Sequence, residues 1–149
     1  MIYLGIDLHK RYSYVVAINE KGQVVAQRRI VHNKPLWDQF LNSLPEPIEA
    51  VIEATLNWYF LADWLEPRVS RLVLANPLKV RAIAEAKIKT DRIDANILAQ
   101  LLRTNLIPES HMSTKPAREH KNLLRHRISY VKSRVILLAV FKQRLETPA

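Results

Sequence analysis

The chain opens on three apolar runs separated by polar turns. Residues 2–8, Ile-Tyr-Leu-Gly-Ile-Asp-Leu, are almost continuously apolar, the pattern of a buried strand. After the polar Lys10-Arg11, residues 13–18 form a second run rich in β-branched and aromatic side chains. Asn19-Glu20-Lys21-Gly22 carries hairpin-turn chemistry, and a third strand is predicted over residues 23–31. Three strands on short turns predict an antiparallel meander.

The period then switches. Pro35 suits the first turn of a helix that buries Leu36, Phe40, Leu41 and Leu44, and Pro45 and Pro47 close it. Residues 48–53 form a strand ending at Glu53, followed by a helix from about Asn57 to Glu66 and an apolar strand at 71–74. Asn76-Pro77 caps and starts another helix running toward Ala86. Lys87-Ile88-Lys89 connects to a helix capped by Thr90 or Asp91 and continuing through Leu102. Three meander strands followed by strand–helix repeats predict an α/β fold, a mixed sheet with flanking helices. The ribonuclease-H-like (RuvC-like) arrangement has this element order, and in it the first and fourth strands are neighbours.

Residues 105–116 read as a linker loop with Pro108 and Pro116. From Ala117 the chain carries neither Gly nor Pro up to Leu145, and Leu124, Ile128, Val131, Val135, Leu138 and Leu145 keep 4-3 heptad spacing, broken by Lys142. This predicts a long helix of coiled-coil type. Its stripe packs either on its own domain or on another chain; the helix is long for so small a domain, which favours another chain. The expected organisation is a domain at 1–104, a linker at 105–116 and a basic heptad helix at 117–149.

Four acids stand out against this layout. Asp7 and Glu53 lie on apolar strands, where an unpaired carboxylate costs several kcal/mol or takes up a proton. Asp91 and Asp94 are three apart and share the first turn of a helix, where capping and the helix dipole alone would account for them. Convergence of such acids on Mg²⁺, or Mn²⁺, would remove the burial cost, because hard cations take oxygen ligands. His9 and Lys10 follow Asp7 and could contact a phosphate, or form a solvated strand end. Trp58 and Tyr59 read as core in preference to base-stacking residues, and His32 as a surface or nucleic-acid-facing residue.

Composition narrows the chemistry. The absence of cysteine excludes disulfides, thiolate metal sites and a cysteine nucleophile. No apolar run approaches the ~18 residues of a membrane span, so a cytoplasmic, nucleoid-associated prokaryotic protein without membrane contact is expected. The net charge is +9. Residues 115–145 hold nine basic residues against the single acid Glu119, and the rest of the chain is nearly neutral. Lys10, Arg118, Lys121, Arg125, Arg127, Lys132 and Arg134 are therefore the candidate contacts to nucleic-acid phosphates; a merely solvated basic face is the alternative.

The blocks Gly5-Ile6-Asp7-Leu8-His9-Lys10, Ile52-Glu53-Ala54-Thr55, Asn76-Pro77-Leu78-Lys79-Val80-Arg81 and Lys89-Thr90-Asp91-Arg92-Ile93-Asp94-Ala95 resemble the DEDD transposases of insertion-sequence family one-ten. The resemblance spans essentially the whole chain. It implies a RuvC-like catalytic domain with Asp7, Glu53, Asp91 and Asp94 as its acidic tetrad, Mg²⁺ as cofactor, DNA as substrate and a bridge RNA as guide. It also implies a further domain bearing a nucleophilic serine beyond Ala149; the heptad stripe, for its part, leads to the expectation of a homo-oligomer joined through the C-terminal helix. Two other readings share these residues: a stand-alone RuvC-type nuclease, and a non-catalytic nucleic-acid-binding dimerisation module.

Overall fold

The computed structural model describes residues 1–55, 58–84 and 90–146. Its elements are β1 (Ile2–Leu8), β2 (Tyr12–Asn19), β3 (Val24–Val31), α1 (Lys34–Asn42), β4 (Ile48–Glu53), α2 (Tyr59–Leu65), β5 (Arg71–Ala75), α3 (Pro77–Ile83), α4 (Asp91–Arg103) and α5 (Lys115–Glu146). The expected helix start at Asn57, the end at Ala86 and the connection Lys87-Ile88-Lys89 lie outside the described residues. The chain divides into two compact units, one of residues 1–111 and one from Met112 onward that contains α5.

The five strands form one mixed sheet in the order β3-β2-β1-β4-β5. β1 to β3 pair antiparallel as a meander, while β4 lies parallel to β1 and β5 parallel to β4. The β2–β3 turn forms because Asn19 Oδ1 accepts from the backbone of Lys21 and Gln23, both at 3.0 Å, and Gly22 takes φ +76°. β1 beside β4 is the adjacency that the ribonuclease-H-like element order requires. It makes β1 a central strand, and Leu4 and Ile6 are fully buried.

Register sorts the side chains between the two faces. Gly5 faces Val16 on β2 and Val51 on β4, and Asp7 faces Tyr14, which in turn faces Arg29 on β3. Because strand residues alternate, Tyr3, Gly5 and Asp7 share one face with Tyr12, Tyr14, Val51 and Glu53. α4 covers this face: Val51, Val73, Ala75, Val80, Leu98, Leu101 and Leu102 form one core cluster, with Tyr3 and Ile97 against it. The opposite face carries Ser13, fully buried, whose hydroxyl hydrogen-bonds His32 at 3.2 Å. His32 packs against Phe60 of α2 at 4.8 Å, so it is a half-buried packing residue and not the surface histidine expected. Arg68, just after α2, reaches Asp38 of α1 at 2.6 Å.

The helix ends follow local chemistry closely. Asn33, Asn76 and Thr90 cap α1, α3 and α4 by accepting backbone N–H bonds. α4 stops in a Schellman motif: the Leu106 N–H reaches Leu101 O at 2.9 Å and the Asn105 N–H reaches Leu102 O at 3.0 Å. Asn105 supplies the left-handed residue at φ 55°. Two expectations need correction. In α1 the inward residue beside Phe40 and Leu41 is Trp37 and not Leu36, which is exposed, because the helix starts at Lys34 and turns Trp37 inward. The expected linker is also partly ordered on the sheet: the Ser110 N–H bonds Leu74 O and the Asn76 N–H bonds Pro108 O, covering the outer edge of β5.

α4 crosses β1 unusually closely. A Cβ on Gly5 would lie 2.0 Å from Ala95 O, 2.6 Å from Ala99 N and 3.0 Å from Ala99 Cβ. Ala95 and Ala99 are both fully buried, so small residues on both partners let the helix backbone rest on the strand. Backbone cannot yield as a flexible side-chain tip can. Gly5→Ala is therefore expected to destabilise the protein by about 3 kcal/mol or more, read as a lowered midpoint in urea unfolding.

Candidate metal centre

Asp7 sits near the end of β1 and is only 9% exposed. Its Oδ2 hydrogen-bonds His9 Nε2 at 2.9 Å. The same nitrogen lies 3.2 Å from Asp91 Oδ2, which also accepts from the Tyr12 hydroxyl at 3.0 Å. The ring of Tyr12 stacks on His9 at 4.7 Å. One ligand atom each from Asp7, His9 and Asp91 thus lies within 4.8 Å of the others.

The remaining acids reach the same place from another side. Asp7, Glu53 and Asp94 line one cavity of about 110 Å³ together with Arg81, Val80 and Leu98. At roughly 30 Å³ per liquid water, that volume suits a cation with part of its hydration shell. Parallel pairing of β1 and β4 brings in Glu53 from the neighbouring strand, and the Gly5 contact sets the first turn of α4 over the end of β1. All four acids singled out in the sequence therefore border this region, Asp91 through His9 and Tyr12, the others through the cavity.

The capping explanation for the helix acids gives way to a different division of labour. Thr90 Oγ1 caps α4 by accepting from Ile93 N at 3.3 Å. Asp91 spends its carboxylate on Tyr12 and His9, and Asp94 lines the cavity. A capping threonine leaves two first-turn aspartates available for other chemistry, while the helix dipole still favours their charge.

Burial is the largest influence on Asp7 and raises its pKa; the charges of Asp91 and Asp94 also raise it, and His9 opposes them. Burial likewise lowers the pKa of His32, and its hydrogen bond to the Tyr12 backbone opposes this. The hydrogen bond to Asp91 raises the pKa of Tyr12, keeping its hydroxyl a donor. An oxygen-rich set of carboxylates whose buried member resists ionisation fits a divalent cation, which would supply the missing positive charge.

Sequence reasoning gave His9 only a possible phosphate contact and assigned Tyr12 and Arg81 nothing. The signal for Tyr12 was strand alternation, which puts residues 12 and 14 on the Asp7 face once the register is known. Among the candidate phosphate contacts, Lys10, Lys121, Arg125, Arg127, Lys132 and Arg134 are exposed. Arg118 is 6% exposed and so stands apart from that surface. Trp58 is buried, as core. No described helix is long and apolar enough to cross a membrane.

The Asp7 shift has a consequence for stability. A carboxyl whose pKa is higher folded than unfolded binds its proton more tightly in the folded state. Its contribution is present below the unfolded value near 3.8 and is lost as pH rises through the folded value. Asp7→Asn is expected to raise the melting temperature of the metal-free protein at pH 7, with the gain shrinking toward pH 3. Added Mg²⁺ or Mn²⁺ should stabilise the parent chain and not the variant, as thermal melts with and without chelator would read.

The chain resembles proteins already known. A Leptospira borgpetersenii protein, the transposase for insertion sequence element IS1533, is 28% identical over 107 residues, covering 69% of this chain and 31% of the relative. The chain thus spans about a third of that relative's length. The solved structure of T. thermophilus RuvC in complex with Holliday junction substrate overlays 74% of this chain and 99% of its own at 14% identity, with a TM-score of 0.42. The model of the IS110 DEDD family, described as "Transposase", matches residues 4–147. With nearly its whole length matched, this chain belongs to the IS110 family of DEDD transposases.

Proposed function

We propose that the first unit is the metal-dependent catalytic domain of a DNA transposase, with Asp7, Glu53, Asp91 and Asp94 holding Mg²⁺ or Mn²⁺. The observation that carries this reading is the buried Asp7 carboxylate at the meeting point of the other three acids. When bound, divalent cations would stabilise the attacking and leaving oxygens of phosphodiester cleavage and strand transfer. The chain's own residues prepare the site. The Tyr12 hydroxyl fixes the orientation of Asp91, and His9 Nε2 ties Asp7 to Asp91 and holds both carboxylates in place. Arg81, a cation at the rim of an acidic cavity, is suited to a substrate phosphate.

DNA is the proposed substrate and a bridge RNA the proposed guide, both by family. The exposed basic residues of α5, Lys121, Arg125, Arg127, Lys132 and Arg134, provide phosphate-binding charge. The heptad residues Leu124, Ile128, Val131, Val135 and Leu138 are each more than half exposed on α5, which supports homo-oligomerisation through a coiled coil. A domain organisation of catalytic unit, connection and heptad helix follows from the same reading.

Two measurements test this. Calorimetric titration should show Mn²⁺ binding to the parent chain, weakened roughly tenfold or more by Asp7→Ala and by Asp91→Ala; unchanged affinity in both would remove the tetrad. Sedimentation should show the parent as an oligomer and Val131→Glu/Leu138→Glu as a monomer with an intact catalytic unit, whereas identical sedimentation would remove the coiled coil.

A further inference from the structure

α4 leaves part of its sheet face open. β3 is an edge strand, exposed along most of its length, and a groove runs between it and the flank of α4. At the end near the acids, Tyr12, Tyr14, Arg29, Thr90 and Arg92 line the groove beside Asp91. Thr90 and Arg92 then continue as its wall toward Asn96, over Val16 and Gln27. The groove is thus continuous with the carboxylate site through Asp91, whose Oδ2 accepts the Tyr12 hydroxyl at 3.0 Å.

Two features of the lining ask for a ligand. Arg29 and Arg92 are exposed, and among the described residues neither forms an ion pair. The Arg29 guanidinium lies 3.8 Å from the centre of the Tyr12 ring, a flat cationic surface stacked on an aromatic one. Two arginines without an ion pair among the described residues, and the half-buried ring of Tyr14, suit phosphates and a base along one groove.

We infer that this groove is the track of an unpaired DNA strand, which it leads to the carboxylate site with phosphates on Arg29 and Arg92 and a base against Tyr14. Paired DNA would hide the base face that the Tyr14 ring is placed to cover. This deepens the transposase reading and rests on it for the choice of DNA. It also assigns substrate contact to the catalytic unit itself, where sequence charge pointed only to α5.

The test is fluorescence anisotropy of a labelled unpaired thymidine oligonucleotide with the full chain in chelator, so that metal plays no part. Arg125→Ala/Arg127→Ala/Arg134→Ala serves as the starting background, because it weakens binding by α5. On that background, Arg29→Gln/Arg92→Gln should weaken binding at least tenfold and reduce the salt slope by about 1.4, or ~0.7 per lost phosphate contact. Tyr14→Ala should cost at least about fivefold. Thermal melts check that the variants fold; Arg29→Lys/Arg92→Lys, keeping the charge, should restore most of the salt slope. Affinities within twofold of the background for both groove variants would overturn the inference, as would tighter binding of RNA or of duplex DNA than of unpaired DNA. Loss of the metal reading would show separately, as Mn²⁺ affinity that survives Asp7→Ala, while the groove is read without metal.

Discussion

The contact on which the site depends is the seating of α4 on β1 at Gly5. A strand residue without a side chain meets two buried alanines, and the helix backbone comes down onto the sheet. That contact fixes the height of α4 above β1. Its first turn, carrying Asp91 and Asp94, therefore stands over the end of the strand that carries Asp7. A side chain at position 5 would lift the helix and part the acids, however good each residue's own chemistry. The glycine that weakens a strand by its lack of packing is here the condition for bringing two elements into register. The ties at the other end of α4 act together with it: Gln100 Nε2 bonds Gly22 O at 3.0 Å, and Arg103 Nε bonds Gln100 Oε1 at 3.0 Å, so the β2–β3 turn is attached to the helix.

The site is built on opposed tendencies. Burial and the nearby aspartates push Asp7 toward its protonated form, and the single nitrogen of His9 that reaches both Asp7 and Asp91 only partly opposes them. A folded protein keeps such an arrangement when function requires it. In the catalytic reading proposed above a cation would meet the requirement, and the surrounding groups suit one: Thr90 takes over capping, Tyr12 orients Asp91, and Glu53 arrives on the adjacent parallel strand.

Positive charge is divided between two places of different character. On α5 it is plentiful, exposed and interleaved with an exposed heptad stripe, a pattern suited to holding long nucleic acid in any sequence. On the first unit it is sparse and specific, an arginine over a tyrosine and another beside the cap of α4. Counting charges along the chain finds the first and passes over the second, because two arginines in a nearly neutral stretch do not alter its balance. Their significance lies in standing opposite each other across a groove.

Much of the fold was legible from local chemistry. Apolar runs bounded by Asn-Gly-type turns and prolines marked the strands, and Asn33, Asn76 and Thr90 are caps because their side chains satisfy backbone within a few residues. The four acids were legible too, since a carboxylate on an apolar strand is conspicuous wherever the strand goes, and the family blocks tied the helix pair to it. Features that depend on partners distant in sequence were not. His32 reads as a surface histidine until Ser13 and Phe60 surround it, Arg118 reads as part of the basic face until the fold buries it, and residues 108–110 read as linker until they meet the edge of β5. Tyr12 and Asp91 are 79 residues apart, and only the β1–β2 register and the seating of α4 bring hydroxyl to carboxylate. The sequence by itself determined which residues could carry the chemistry, because side-chain type and local periodicity are properties of the chain. Which of them meet was decided by tertiary structure alone, because distance across a sheet is set by strand order and by how closely a helix can approach.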